Sequence, residues 1–146
     1  MPAVRRTKAM ELFWKLHRFF YRVSGGRIGG RVVGMPVLML TTTGRKSGAP
    51  RTNVLTYLPH GRVSVVFASN AGEPHHPAWW LNLAADPHAT VQRGQEVTPV
   101  IAREAEGEER ARLWDEVVRT EAGYAVYAER TARRIPVVVL EPMMGR

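Results

Sequence analysis

Apolar positions along the chain follow two alternating rhythms, one with a three- to four-residue step and one of short runs rich in β-branched residues. From Thr7 to Val23, Met10, Phe13, Trp14, His17, Phe20 and Tyr21 recur at helical spacing with Lys15, Arg18 and Arg22 between them, which predicts an amphipathic helix. Ser24-Gly25-Gly26 stops it, and Arg27 to Gly34 reads as a glycine-rich connector. A β-type run from Leu38 breaks at Gly44 into the basic turn Gly44-Arg45-Lys46-Ser47-Gly48, and an extended pattern resumes from Arg51 to Leu58. Pro59-His60-Gly61 reads as a turn before a third strand over Arg62 to Ser69, so two consecutive hairpins are expected as an antiparallel meander.

The second half carries the helices. Asn70 to Pro77 is a loop, and Ala78 to Ala85 predicts a short helix ended by Asp86-Pro87. His88 to Gln92 and Glu96 to Arg103 form a further hairpin through Arg93-Gly94-Gln95. Glu106-Gly107-Glu108-Glu109 opens a longer helix, its carboxylates matched to the positive N-terminal end, and Leu113, Trp114, Val117 and Val118 mark its apolar face. After a break near Ala122-Gly123 comes a helical piece with Tyr124 and Tyr127. Ile135 to Leu140 is a continuous apolar run expected as a buried last strand, with Pro136 arguing for an early or edge position. The expected class is α+β, mainly β: about six antiparallel strands with an N-terminal helix and helices inserted late. A closed or nearly closed barrel would shelter so many strand edges.

Composition narrows the chemistry. The 146 residues, 45% of them hydrophobic, suffice for one domain with a real core, divided here into the helix of residues 1–24 and a barrel over residues 31–146. Without cysteine there is no disulfide, thiolate nucleophile or thiolate metal site. No apolar run reaches the length of a membrane span and Met1 to Phe20 lacks the order of a signal peptide, so a cytoplasmic protein beginning near its present start is expected. A net charge of +8 invites nucleic acid, but the arginines are scattered. Only Arg130, Arg133 and Arg134 cluster, with Arg45, Lys46 and Arg51 as a second group, and no nucleic-acid signature spans either.

Familiar catalytic motifs fail on spacing. In the basic turn Arg45 interrupts the Gly-Lys-Ser/Thr order of a nucleoside-triphosphate loop. His75 and His76 are adjacent in a Gly/Pro loop with no acidic ligand cluster beside them, a poor metal site. Ser69 lacks a histidine and carboxylate relay. The remaining features are a cationic hairpin tip with exposed backbone N–H groups, a loop and helix bearing Trp79 and Trp80, and two tyrosines on one late helical face. Together they suit a planar cofactor with an anionic tail.

Five blocks in register extend this reading. Thr41-Thr42-Thr43-Gly44-Arg45-Lys46-Ser47-Gly48, Ala68-Ser69-Asn70, His76-Pro77-Ala78-Trp79-Trp80-Leu81-Asn82-Leu83, Tyr124-Ala125-Val126-Tyr127, and Arg134-Ile135-Pro136-Val137 through Glu141-Pro142 occur in the order seen in the deazaflavin-dependent nitroreductase and quinone reductase family. The chain resembles that family from about Arg22 to Pro142. The resemblance implies a split β-barrel of the flavin-reductase type and the deazaflavin coenzyme F420. It places the coenzyme's phosphate and oligoglutamate tail at Arg45, Lys46, Ser47, Arg51 and Thr52. Val54, Phe67, Ala68, Ser69 and Asn70 would then line the ring, with Asn53, Leu55 and Thr56 also among the coenzyme-binding residues, while Ala78, Trp79, Trp80, Leu81 and Asn82 close over the coenzyme. Ser69, Tyr124 and Tyr127 match positions near the reacting face and substrate.

Three positions depart from the family pattern, which commonly has lysine at Asn70, tyrosine at Trp80 and tyrosine at Glu121. The first removes a tail contact and the last alters the substrate wall. The implied reaction is hydride transfer from the reduced deazaflavin to a quinone, enone or activated nitroaromatic. Flavin mononucleotide in the same barrel, or a non-catalytic deazaflavin carrier, are the alternatives. A monomer or homodimer is expected, and the basic, aromatic first helix suits peripheral contact with a membrane.

Overall fold

The computed structural model describes residues 35–143. The expected N-terminal helix and the glycine-rich connector lie outside those residues. Chain order is β1 (Val37–Thr43), β2 (Pro50–Thr56), β3 (Leu58–His60), β4 (Val63–Phe67), a 3-10 turn at Asn70–Gly72, α1 (Ala78–Ala85), β5 (His88–Arg93), β6 (Glu96–Glu104), α2 (Gly107–Thr120), α3 (Gly123–Arg130) and β7 (Val137–Pro142).

All strand pairs are antiparallel, and the sheet runs β2-β1-β5-β6-β7-β4-β3. β2 and β3 are separated in sequence by Tyr57 alone, yet they are the two outermost strands. A sheet can place consecutive strands at opposite edges only by curling until those edges approach, which gives a barrel-like form. At that corner the Tyr57 N–H donates to the Pro36 carbonyl (3.1 Å). The Tyr57 side chain turns into the core, and the Arg93 guanidinium carbon lies 4.8 Å from its ring centre.

This corner raises the strand count from the expected six to seven among the described residues. The single extended segment expected over Arg51 to Leu58 splits there, and Pro59 and His60 belong to β3 rather than to a turn. Gly61, with φ +63°, takes the turn instead. The meander expectation holds for the β1–β2 and β3–β4 hairpins only, because β4 next pairs with β7 and β5 returns to β1.

Two apolar layers explain the Ile135 to Leu140 run. Val138 and Leu140 point into the barrel with Leu38, Leu40, Val66 and Val100, while Val137 and Val139 face outward with Val65, Phe67, Leu113 and Val117. β4 and β7 are thus covered on both faces, by the barrel interior and by α2 with α3, as a continuous apolar strand requires. Pro136 lies just before β7, where its carbonyl accepts from the Ala68 N–H (3.0 Å), so the strand itself is central rather than an edge. Ala78–Ala85 forms the expected helix and plugs the barrel with buried Trp79 and Leu83.

Candidate functional site

The basic turn closes on itself. The Gly44 N–H donates to the Ala49 carbonyl (2.7 Å), the Gly48 N–H to the Gly44 carbonyl (2.8 Å), and the Ala49 N–H to Ser47 Oγ (3.1 Å). A Cβ on Gly44 would stand 3.0 Å from the Ala49 oxygen, so the tight turn favours glycine there. The turn is also anchored from below. Buried Asn82 of α1 accepts from the Arg45 backbone N–H (3.1 Å) and from Arg45 Nη1 (3.3 Å), and its own amide donates to buried Thr42 Oγ1 (3.1 Å). Asn82 therefore supports the turn from the protein side.

Between this turn, β2 and the start of α1 lies a cavity of about 410 Å³. Arg45, Lys46, Ser47, Arg51, Thr52 and Asn53 form one side, and Ala78 and Trp79 the other. Arg45, Lys46 and Arg51 are exposed and, among the described residues, none forms an ion pair. Ala78 and Trp79 open α1, where first-turn N–H groups have no partner within the helix. Three exposed cations and a helix start on one cavity suit an anion.

A second cavity, of about 390 Å³, continues from the first across Asn53 and Trp79, which line both. Its walls are β2 from Val54 to Thr56, Phe67, Ser69, Asn70 and Ala71, and Tyr124 and Tyr127 of α3. Phe67, Trp114, Tyr124 and Tyr127 pack edge-on or tilted with ring centres 5.4–6.4 Å apart. That packing fixes Tyr124, whose hydroxyl lies 2.7 Å from Thr56 Oγ1. Burial pushes the Tyr124 phenol above its ordinary pKa, an effect partly offset by the Thr56 hydrogen bond, so it stays a neutral donor. The Ser69 side chain makes no hydrogen bond to another described residue, and Ser69 is 93% buried at the cavity wall, with a relative exposure of 7%.

Most residues expected at the site thus line one continuous cleft. Ala68 faces the barrel interior, because the alternation of β4 continues past its end, where the Ala68 N–H donates to the Pro136 carbonyl, and sends Phe67 and Ser69 to the cleft and Ala68 the other way. Trp80 packs against the same interior cluster, and neither it nor Leu81 lines either cavity. Gly44, Pro50, Ala71 and Pro77 also line the cleft. Gly44 carried a signal in sequence as the break after β1, and Pro77 as part of the block from His76 to Leu83. Among the described residues no group of three or more metal-ligating side chains occurs.

The chain as a whole matches known proteins. The family model for F420H(2)-dependent quinone reductase matches residues 13–142. An F420H(2)-dependent quinone reductase of Mycobacterium tuberculosis is 42% identical over 130 residues, covering 86% of this chain and 87% of that protein. A solved F420-H2 dependent reductase is 41% identical with a TM-score of 0.67, covering 73% of this chain and 94% of its own. A protein solved as a domain-swapped dimer is 34% identical with a TM-score of 0.68, covering 97% of this chain and all of its own (100%).

Proposed function

The chain belongs to the F420H(2)-dependent quinone reductase family, an oxidoreductase family using coenzyme F420, and we propose that its two-chambered cleft is where reduced coenzyme meets a quinone-type acceptor. The carrying observation is the division of one continuous cleft into a cationic chamber and an aromatic, hydroxyl-bearing chamber that share Asn53 and Trp79. That polarity fits a coenzyme with an anionic tail and a flat ring.

When bound, the coenzyme supplies a hydride from its C5 carbon. The protein's part is placement and charge. Arg45, Lys46 and Arg51 hold the anionic tail, with the Ser47 hydroxyl and the start of α1 beside them. Val54, Phe67 and Trp79 give the ring apolar surface and exclude water. A quinone that accepts hydride also needs its oxygen stabilised and then protonated. Of the hydroxyls lining that chamber, on Thr56, Ser69, Tyr124 and Tyr127, Ser69 and Tyr124 are assigned to the acceptor oxygen. When Thr56 donates to the Tyr124 oxygen, the phenolic proton is free for the acceptor. Each such donor is typically worth about 3 kcal/mol as negative charge develops. Tyr127 packs against the Tyr124 ring and shapes the acceptor wall.

Quinones are lipid-borne, and the basic, aromatic pattern of residues 7–23 supports contact of a cytoplasmic enzyme with a membrane surface. Flotation with anionic vesicles, with and without those residues, tests it. For the reaction, reduced coenzyme is mixed with menadione. Return of the oxidised absorbance only with protein and acceptor together is the expected result, and its absence with several quinones refutes the proposal.

A further inference from the structure

The arginine cluster after α3 and the histidine loop, which no step above uses, meet each other. Arg133 donates from Nη2 to the Ser69 carbonyl (2.8 Å), from Nη1 to the Ala68 carbonyl (3.2 Å) and from Nε to the Glu73 carbonyl (3.1 Å). Its Nη1 also lies 3.1 Å from His76 Nδ1. Among the described residues it forms no ion pair, so its donors converge on this one loop.

The loop it grips is strained. Asn70 and Ala71 have φ of 48° and 55°, a left-handed conformation that residues other than glycine enter under constraint. Arg130 adds a bond from Nη1 to the Ala71 carbonyl (3.3 Å) and covers Gly72 closely. Arg130 ends α3, the helix that carries Tyr124 and Tyr127. The two arginines therefore tie the Ser69 wall of the acceptor chamber to its tyrosine wall.

We infer that Arg133 is a positioning residue for hydride transfer, setting the Ser69 hydroxyl against Tyr124 by holding the Ser69–Ala71 backbone in its strained form. The inference rests on the functional reading of that chamber. His76 takes part as an acceptor: with Arg133 donating to Nδ1, the ring is neutral and its proton sits on Nε2. Burial first, and the Arg133 charge second, lower the His76 pKa, with Glu104 of β6 opposing. Protonation would set a donor and a second positive charge against the guanidinium. The hold therefore weakens as pH falls below the ordinary histidine value of about 6.5 and through the lowered one.

Amide hydrogen exchange on the coenzyme-free full chain reads the hold directly, with coenzyme titration and turnover alongside. Arg133→Met is expected to speed exchange at residues 69–73 relative to the barrel strands by on the order of tenfold or more. It should lower kcat more than coenzyme affinity, because the cationic chamber is untouched, and Arg133→Lys should rescue it poorly. In wild-type protein, exchange of the loop, corrected for its intrinsic pH dependence, should rise on acidification. His76→Asn, which keeps an acceptor that cannot take a proton, should abolish that rise. Unchanged loop exchange in Arg133→Met, or an equal rise in every strand, overturns the inference. So does a wild-type loop indifferent to acid, which decides the matter even where Arg133→Met does not fold. Wild-type protein that fails to bind coenzyme refutes the functional reading and with it the hydride-transfer role, whereas the exchange comparison decides separately whether Arg133 holds the loop.

Discussion

The Tyr124 hydroxyl lies 2.7 Å from Thr56 Oγ1, joining α3 to β2 across the cleft from positions 68 residues apart in sequence. The pair acts as a unit if Thr56 orients the phenol. Tyr124→Phe is expected to lower kcat about 10- to 100-fold with coenzyme affinity unchanged. Thr56→Val should cost less, and the double variant should be no slower than Tyr124→Phe alone. Steady-state kinetics on the four proteins check this, and additive losses would contradict it.

Burial of Tyr124 has a consequence at alkaline pH. Its folded pKa is raised, so the folded protein keeps a proton that the unfolded chain gives up near pH 10. The corresponding stability is fully present below about pH 10 and is lost as pH rises through the folded value. Tyr124→Phe should lose less Tm between neutral and strongly alkaline pH than wild type. Parallel Tm curves would place the phenol in a wetter setting.

Asn82 joins α1 to both Thr42 and the basic turn through three hydrogen bonds. Asn82→Ala strands the buried Thr42 hydroxyl and frees Arg45, at a cost of roughly 2–3 kcal/mol. Urea unfolding measures that loss. The same variant should bind coenzyme more weakly, since the cations lose their fixed geometry.

Gly61 and Gly72 separate backbone strain from crowding. Both have positive φ, +63° and +82°, but a Cβ on Gly61 meets nothing within 4 Å, whereas one on Gly72 stands 2.8 Å from Arg130 Cβ. Gly61→Ala should cost only the left-handed backbone penalty of about 1 kcal/mol. Gly72→Ala should cost more and also reduce turnover, because it displaces the arginine that pins Ala71. Equal losses of stability in the two would remove the packing part of the argument.

Local signals made much of the fold legible. The span of α1, the split between α2 and α3, and the apolar β7 all follow from periodicity, turn residues and Pro136. The basic turn was legible too, because Gly44 and Gly48 frame its two cations. The corner at Tyr57 was not, since nothing local marks where an extended segment passes from one sheet edge to the other. Ala68 is a matter of strand phase, which is fixed by the register of β4 with β7 and the Ala68 bond to Pro136 just beyond it. Asn82 reads in sequence like any polar residue of a cleft helix, and its partners lie about 40 residues away. Arg133 looked like part of a surface charge cluster, because three of its four acceptors are backbone carbonyls, which leave no trace in sequence, and the fourth, His76, lies 57 residues away.

A fluorescence titration of coenzyme F420 tests the central claim most directly, using wild type and Lys46→Glu at low and high salt. The cleft described here predicts saturable binding by wild type, weakened on the order of tenfold by the charge reversal at low salt. That difference should narrow as salt screens the exposed tail site. Equal affinity of the two proteins at low salt would contradict the assignment of the cationic chamber to the coenzyme's tail.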